Sequence, residues 1–153
     1  MNNPHFTMPK VRILVADASN ARLFRVESPT GDLIEMDAQT NPEARMQERE
    51  LTDDKPGEQT SHAKDSRSAV DSPADPKDNQ IQRFAREITD KLEKTRKEGD
   101  LEKLYVVAPP RFLGDLRNQM SASLKAVVVE EINKDFSKLN ARDLRQQLPE
   151  RLD

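Results

Sequence analysis

The chain has 153 residues, enough for one domain of ordinary size. Charged residues make up 35% of it and hydrophobic ones 34%, and the formal net charge of -3 argues against a general nucleic-acid binder built on clustered lysine and arginine. There is no cysteine, which excludes disulfides, thiol nucleophiles and thiolate metal sites.

Residues 1–9 lack an apolar leader core, and no run approaches the roughly 20 apolar residues of a membrane span. The expectation is a cytoplasmic protein with no membrane partner and a short disordered start over 1–9. Val11 to Ala16 is rich in Val, Ile and Leu and reads as a strand. Asp17-Ala18-Ser19-Asn20 supplies a turn, Ala21 to Glu27 a second strand, Ser28 to Asp32 another turn, and Leu33 to Thr40 a third strand. Links this short predict an antiparallel meander.

From Asn41 to Asn79 polar and charged residues dominate, and only Met46, Leu51 and Val70 come from the set Val, Ile, Leu, Met and Phe. Such a stretch buries too little apolar area to offset its ordering entropy, so 41–79 is expected to be a long mobile loop. Asp75-Pro76-Lys77-Asp78 is a helix start, with a capping acid and a proline suited to the first turn. Ile81, Phe84, Ala85, Ile88 and Leu92 then share one helical face, and Gly99 is a natural stop.

Leu104 to Ala108 is an apolar run that reads as a strand buried on both faces. Pro109-Pro110 ends it. Phe112, Leu113, Leu116, Met120 and Leu124 follow as one helical stripe, and Lys125 to Ile132 returns to a β-branched run. This is a βαβ unit with an expected right-handed crossover, and it predicts a parallel strand pair at the centre of the sheet. Phe136 to Leu148 reads as a last helix, broken near Asn140 and ended by Pro149. The fold class is therefore α/β: a mixed sheet of about five strands, meander plus βαβ, with helices on its faces. One domain is expected over 10–149, with 150–153 a tail.

Several strings together carry a resemblance. Val15-Ala16-Asp17, Ala21-Arg22-Leu23-Phe24, Asp75-Pro76-Lys77, Arg83-Phe84-Ala85-Arg86-Glu87-Ile88, Val107 to Gly114 with Leu116-Arg117, and Asn133-Lys134-Asp135 with Leu139 resemble the bacterial host-attachment protein family in register. The resemblance implies a domain related to the middle domain of archaeal and eukaryotic peptide-chain release factors. In that domain a Gly-Gly-Gln loop precedes a helix beginning near an Arg-Phe-Ala-Arg-like string. Here Gly57-Glu58-Gln59 lies ahead of Arg83 to Arg86, with Glu58 where a second glycine would stand. A glutamate neither favours φ > 0 nor admits close approach, and it adds negative charge beside a tRNA. Peptidyl-tRNA hydrolysis is not expected.

Candidate chemistry is sparse. His5 and His62 are the two histidines, and neither has a placed second ligand. Asp17, at the end of the first strand, is where a metal-dependent nuclease would place a carboxylate; of Glu130 and Glu131 at most one can face it. The plainer reading of Asp17 is a turn residue accepting backbone N–H groups. Arg111, at a helix start after a strand's carboxyl end, forms with Arg117 a candidate anion site. Gly57, Gln59 and His62 are candidate loop-interaction residues. Arg83, Arg86, Lys91 and Lys94 are interleaved with acids and read as a solvated face. No metal and no cofactor are expected. The expected function is a non-enzymatic interaction module with an unknown protein partner; the alternatives are binding to RNA, the ribosome or tRNA, and a nuclease centred on Asp17. Oligomeric state is not legible.

Overall fold

A computed structural model of the chain describes residues 8–43 and 76–153. Strand β1 (Val11–Ala16) is buried at all six positions, because it is the middle strand of five. Strands β2 (Asn20–Arg25) and β3 (Ile34–Thr40) complete an antiparallel meander, and a bulge interrupts their register at Leu23/Phe24. Helix α1 (Pro76–Lys97) carries the chain to β4 (Lys103–Ala108), which pairs parallel to β1. Helices α2 (Pro110–Gln119) and α3 (Ala122–Ala126) lead to β5 (Val128–Asn133), parallel to β4, and α4 (Ala141–Gln146) follows. The sheet order is β3-β2-β1-β4-β5.

The mixed five-stranded sheet is the one read from the sequence, with two differences. The centre of the sheet is β1, not the β4–β5 pair, and β5 is an edge strand that leaves Val129 46% exposed. The apolar stripe from Phe112 to Leu124 is also not one helix. Met120 turns extended at φ -74 and ψ 138, and Ser121 caps a new short helix by accepting from the Leu124 N–H at 3.1 Å. The cap wins locally and moves Lys125 and Ala126 from strand to helix, yet Met120 and Leu124 still reach the same core.

The helix α1 ends where Gly99 takes φ +84. Its N–H donates to the Arg96 carbonyl, and the Asp100 N–H to that of Thr95, both at 3.0 Å. This is the paired closure that a left-handed residue permits.

One face of the sheet packs on α1, α2 and α3 through Leu14, Leu104, Val106, Phe84, Ile88 and Phe112. The other face is covered by the C-terminal segment, where Ile13, Val15, Phe24 and Tyr105 meet Leu144, Leu148 and Leu152. The last residues, expected as a tail, are packed: Leu152 is fully buried and its N–H donates to the Pro29 carbonyl at 2.8 Å. Arg145 fastens this layer, donating to the carbonyl oxygens of Gly31, Pro149 and Glu150. Met8 also packs on this face. The expected loop is described only at its ends. Asn41 is buried and donates through its backbone N–H to Ser19 and through its side chain to Ala18, while residues 76–79 form the first turn of α1. Among the described residues no helix is long and apolar enough to cross a membrane.

Candidate functional site

The parallel strands β1 and β4 end on one edge of the sheet, the edge where α/β folds commonly place ligands. Asp17 follows β1 there. Its Oδ1 accepts from the N–H groups of Ser19 and Asn20 at 2.8 and 2.7 Å, and its own N–H donates to the Asn20 carbonyl. That closes the β1–β2 turn, the role its position in the sequence favours. Its Oδ2 lies 2.6 Å from Ser137 Oγ, which is also 2.8 Å from Asp135 Oδ1. One hydroxyl proton serves one of these two carboxylates at a time. Among the described residues no group of three or more His, Asp or Glu is gathered to hold a metal. Glu131 instead pairs with Arg117, and Glu130 lies opposite Tyr105 in the β4–β5 register.

Arg111 and Arg117 are each held by their own carboxylate. Arg111 pairs with Asp78 at 2.9 Å, at the start of α1, with its side chain 79% exposed. Arg117 sets both Nε and Nη2 on Glu131 Oε1, at 2.8 and 2.6 Å, and this contact raises its pKa from an already high value. An anion at either arginine would compete with that carboxylate. Gly57, Gln59, His62 and His5 lie outside the described residues.

A groove opens between α1 and the β2–β3 pair, with a volume of about 290 Å³. Leu14, Leu23, Ile88 and Leu92 form its apolar floor and wall, and Met36, 43% exposed, stands at the β3 bulge. Lys91 crosses the groove to Asp37 at 2.5 Å, and this hydrogen bond is the main cause of Asp37's lowered pKa. The sequence marked Leu92 and Ile88 as core positions. It gave no signal for a groove, because the bulge that turns Met36 outward arises from strand pairing and not from any local pattern. Arg22 was likewise missed as an anchor. It donates to the Leu139 carbonyl, pairs with Glu35 at 3.1 Å and lies 4.8 Å from the Phe24 ring centre.

The sheet order, the helical layer and the C-terminal layer define a mixed-sheet α/β domain. The family model described as protein required for attachment to host cells matches residues 12–148, and the chain belongs to that family. The fold is similar to a solved archaeal translation termination factor, at a TM-score of 0.48 and 11% sequence identity. That similarity covers 92% of this chain and 35% of the archaeal one, so the chain spans about a third of that factor's length. No curated protein matches the chain.

Proposed function

We propose that the chain is a non-enzymatic, cytoplasmic interaction module of its family, which engages a protein partner through the groove between α1 and β3. The observation that carries this reading is the groove itself. It joins an apolar floor to an exposed Met36 and a charge pair, and it borders an edge strand with open backbone groups. A partner that inserts an apolar side chain beside complementary charges fits it. A binding role is favoured over a catalytic one because the polar groups singled out from the sequence, Asp17, Arg111 and Arg117, are all engaged within the fold.

The test pairs capture with an activity assay. Wild-type chain and Met36→Asp are used to pull down partners from the native cell, and both are incubated with peptidyl-tRNA with and without ribosomes. The expected result is a partner retained by the wild type and lost by the variant, with no release from tRNA by either. Co-sedimentation with ribosomes in lysate would favour the translation-associated reading instead. Ester cleavage that disappears in Gln59→Ala would make the protein a release enzyme.

A further inference from the structure

Arg12 is an anomaly in the middle of the sheet. It sits on the central strand, is 6% exposed, and lies directly opposite Arg25 of β2 in the antiparallel register. Like charges facing each other across a strand pair destabilise it. A buried cation is ordinarily held by a carboxylate, because an unpaired one carries a large desolvation cost. Arg12 has no such partner among the described residues. Its Nη1 donates to the Val11 carbonyl at 3.0 Å, and its Nε has no hydrogen-bond partner.

Both arginines line an open cavity of about 520 Å³ at the amino-terminal end of β1, where Lys10 joins them. The two carboxylates on its wall pair only loosely, with two of these same cations. Asp100 meets Lys10 at 3.9 Å and Glu27 meets Arg25 at 3.7 Å, with the acid side chains 57% and 72% exposed. Exposed pairs at these distances hold little. Three cations against two acids leave the cavity with one positive charge in excess. Burial lowers the pKa of Arg12, Asp100 opposes that shift and Arg25 adds to it, so the charge is only partly compensated.

We propose that Arg12 and Arg25 form a binding site for a phosphate-type oxyanion. The oxyanion would accept the unpartnered Arg12 donor, separate the two like charges, and gain the planar, multi-donor recognition for which arginine is suited. Lys10 adds charge at the rim, and the cavity leaves room for the rest of a phosphorylated ligand. The site adjoins the groove proposed for the protein partner, and Met36 lines both.

The experiment titrates the full chain with inorganic phosphate against chloride at matched ionic strength, by calorimetry and by thermal denaturation. The wild type is expected to bind saturably and to melt at higher temperature in phosphate. Arg25→Gln and Arg12→Gln should each weaken phosphate binding at least tenfold, while Arg111→Gln leaves it unchanged. Arg25 is partly exposed, so its variant decides the matter if Arg12→Gln fails to fold. Wild-type stabilisation no greater than in chloride would overturn the proposal, and so would wild-type phosphate affinity in Arg25→Gln.

Discussion

The rings of Phe84 in α1 and Phe112 in α2 lie with centroids 6.0 Å apart and planes tilted by 32°. This contact joins the helix before β4 to the helix after it, so one aromatic pair links the two crossovers of the parallel half of the sheet. Both residues are 3% exposed.

Truncating either ring should therefore be severe. Phe84→Ala and Phe112→Ala are each expected to cost about 3–5 kcal/mol, the range for a buried phenylalanine. The double variant should lose less than the sum, because the ring contact itself contributes about 0.5–1.5 kcal/mol beyond burial. Urea unfolding of the two single variants and the double variant measures all three quantities. Unchanged midpoints in both single variants would contradict this packing.

A second prediction concerns acid. Glu93 of α1 accepts from the Ser121 hydroxyl and from the Arg96 guanidinium, which ties α1 to the cap of α3. The Ser121 hydrogen bond is the first cause of a pKa lowered from the ordinary 4.5. The unfolded chain thus takes up its proton at higher pH than the folded one. The stabilising contribution is complete above the unfolded value and is lost as pH falls through the folded value. Asp37, held by Lys91, acts in the same direction, although at 45% exposure its share is smaller. Glu93→Gln should flatten the fall in stability between about pH 5 and pH 3. Urea midpoints across that range test it, and a slope equal to the wild type's would count against the contact.

The elements most legible in the sequence were those with local causes. Pro76 and Gly99 bracket a helix by backbone chemistry alone, and Val11 to Ala16 and Leu104 to Ala108 are apolar enough to be strands wherever they sit. What could not be read depended on contacts far along the chain. Ser121 looked like an ordinary position in a helical stripe until its hydroxyl capped Leu124. The opposition of Arg12 and Arg25 needs a strand register, and the groove beside Met36 needs a bulge. Arg111 and Arg117 read from the sequence as a shared anion site, but their carboxylate partners, Asp78 and Glu131, come from other elements that local spacing does not reveal.

The turn after β1 gives a third prediction. Asp17→Ala removes the acceptor of two backbone N–H groups and the partner of Ser137. Lost hydrogen bonds of a charged acceptor in a partly buried turn cost about 1.5–3 kcal/mol. Asp17→Asn keeps an oxygen for the two N–H groups and should lose less. If the role of Asp17 is this turn, adding magnesium or manganese will leave the melting temperature of the wild type unchanged. A metal-dependent rise that vanishes in Asp17→Asn would assign the residue to a metal site instead.

The final prediction rests on Leu152, one residue from the end of the sequence. Terminal residues are usually tolerant of change, and nothing in the pattern Pro149-Glu150-Arg151-Leu152-Asp153 singles one out. Yet Leu152 is fully buried against the face of the sheet that carries Ile13, Val15 and Phe24. Its N–H is bonded to Pro29, in the turn between β2 and β3, and the Tyr105 hydroxyl reaches the Asp153 carbonyl at 3.3 Å. The end of the chain thus closes the second layer over the central strands. Leu152→Ala should cost about 2–5 kcal/mol, as for a leucine inside a core. Its neighbour Arg151, whose side chain is 63% exposed and pairs only with Asp153 among the described residues, should change stability by about 0.5 kcal/mol or less when replaced by alanine. Chemical denaturation of the two variants decides it: equal and small losses would mean that Leu152 does not occupy this core, whereas a large loss at Leu152 alone makes the last turn of the chain part of the fold.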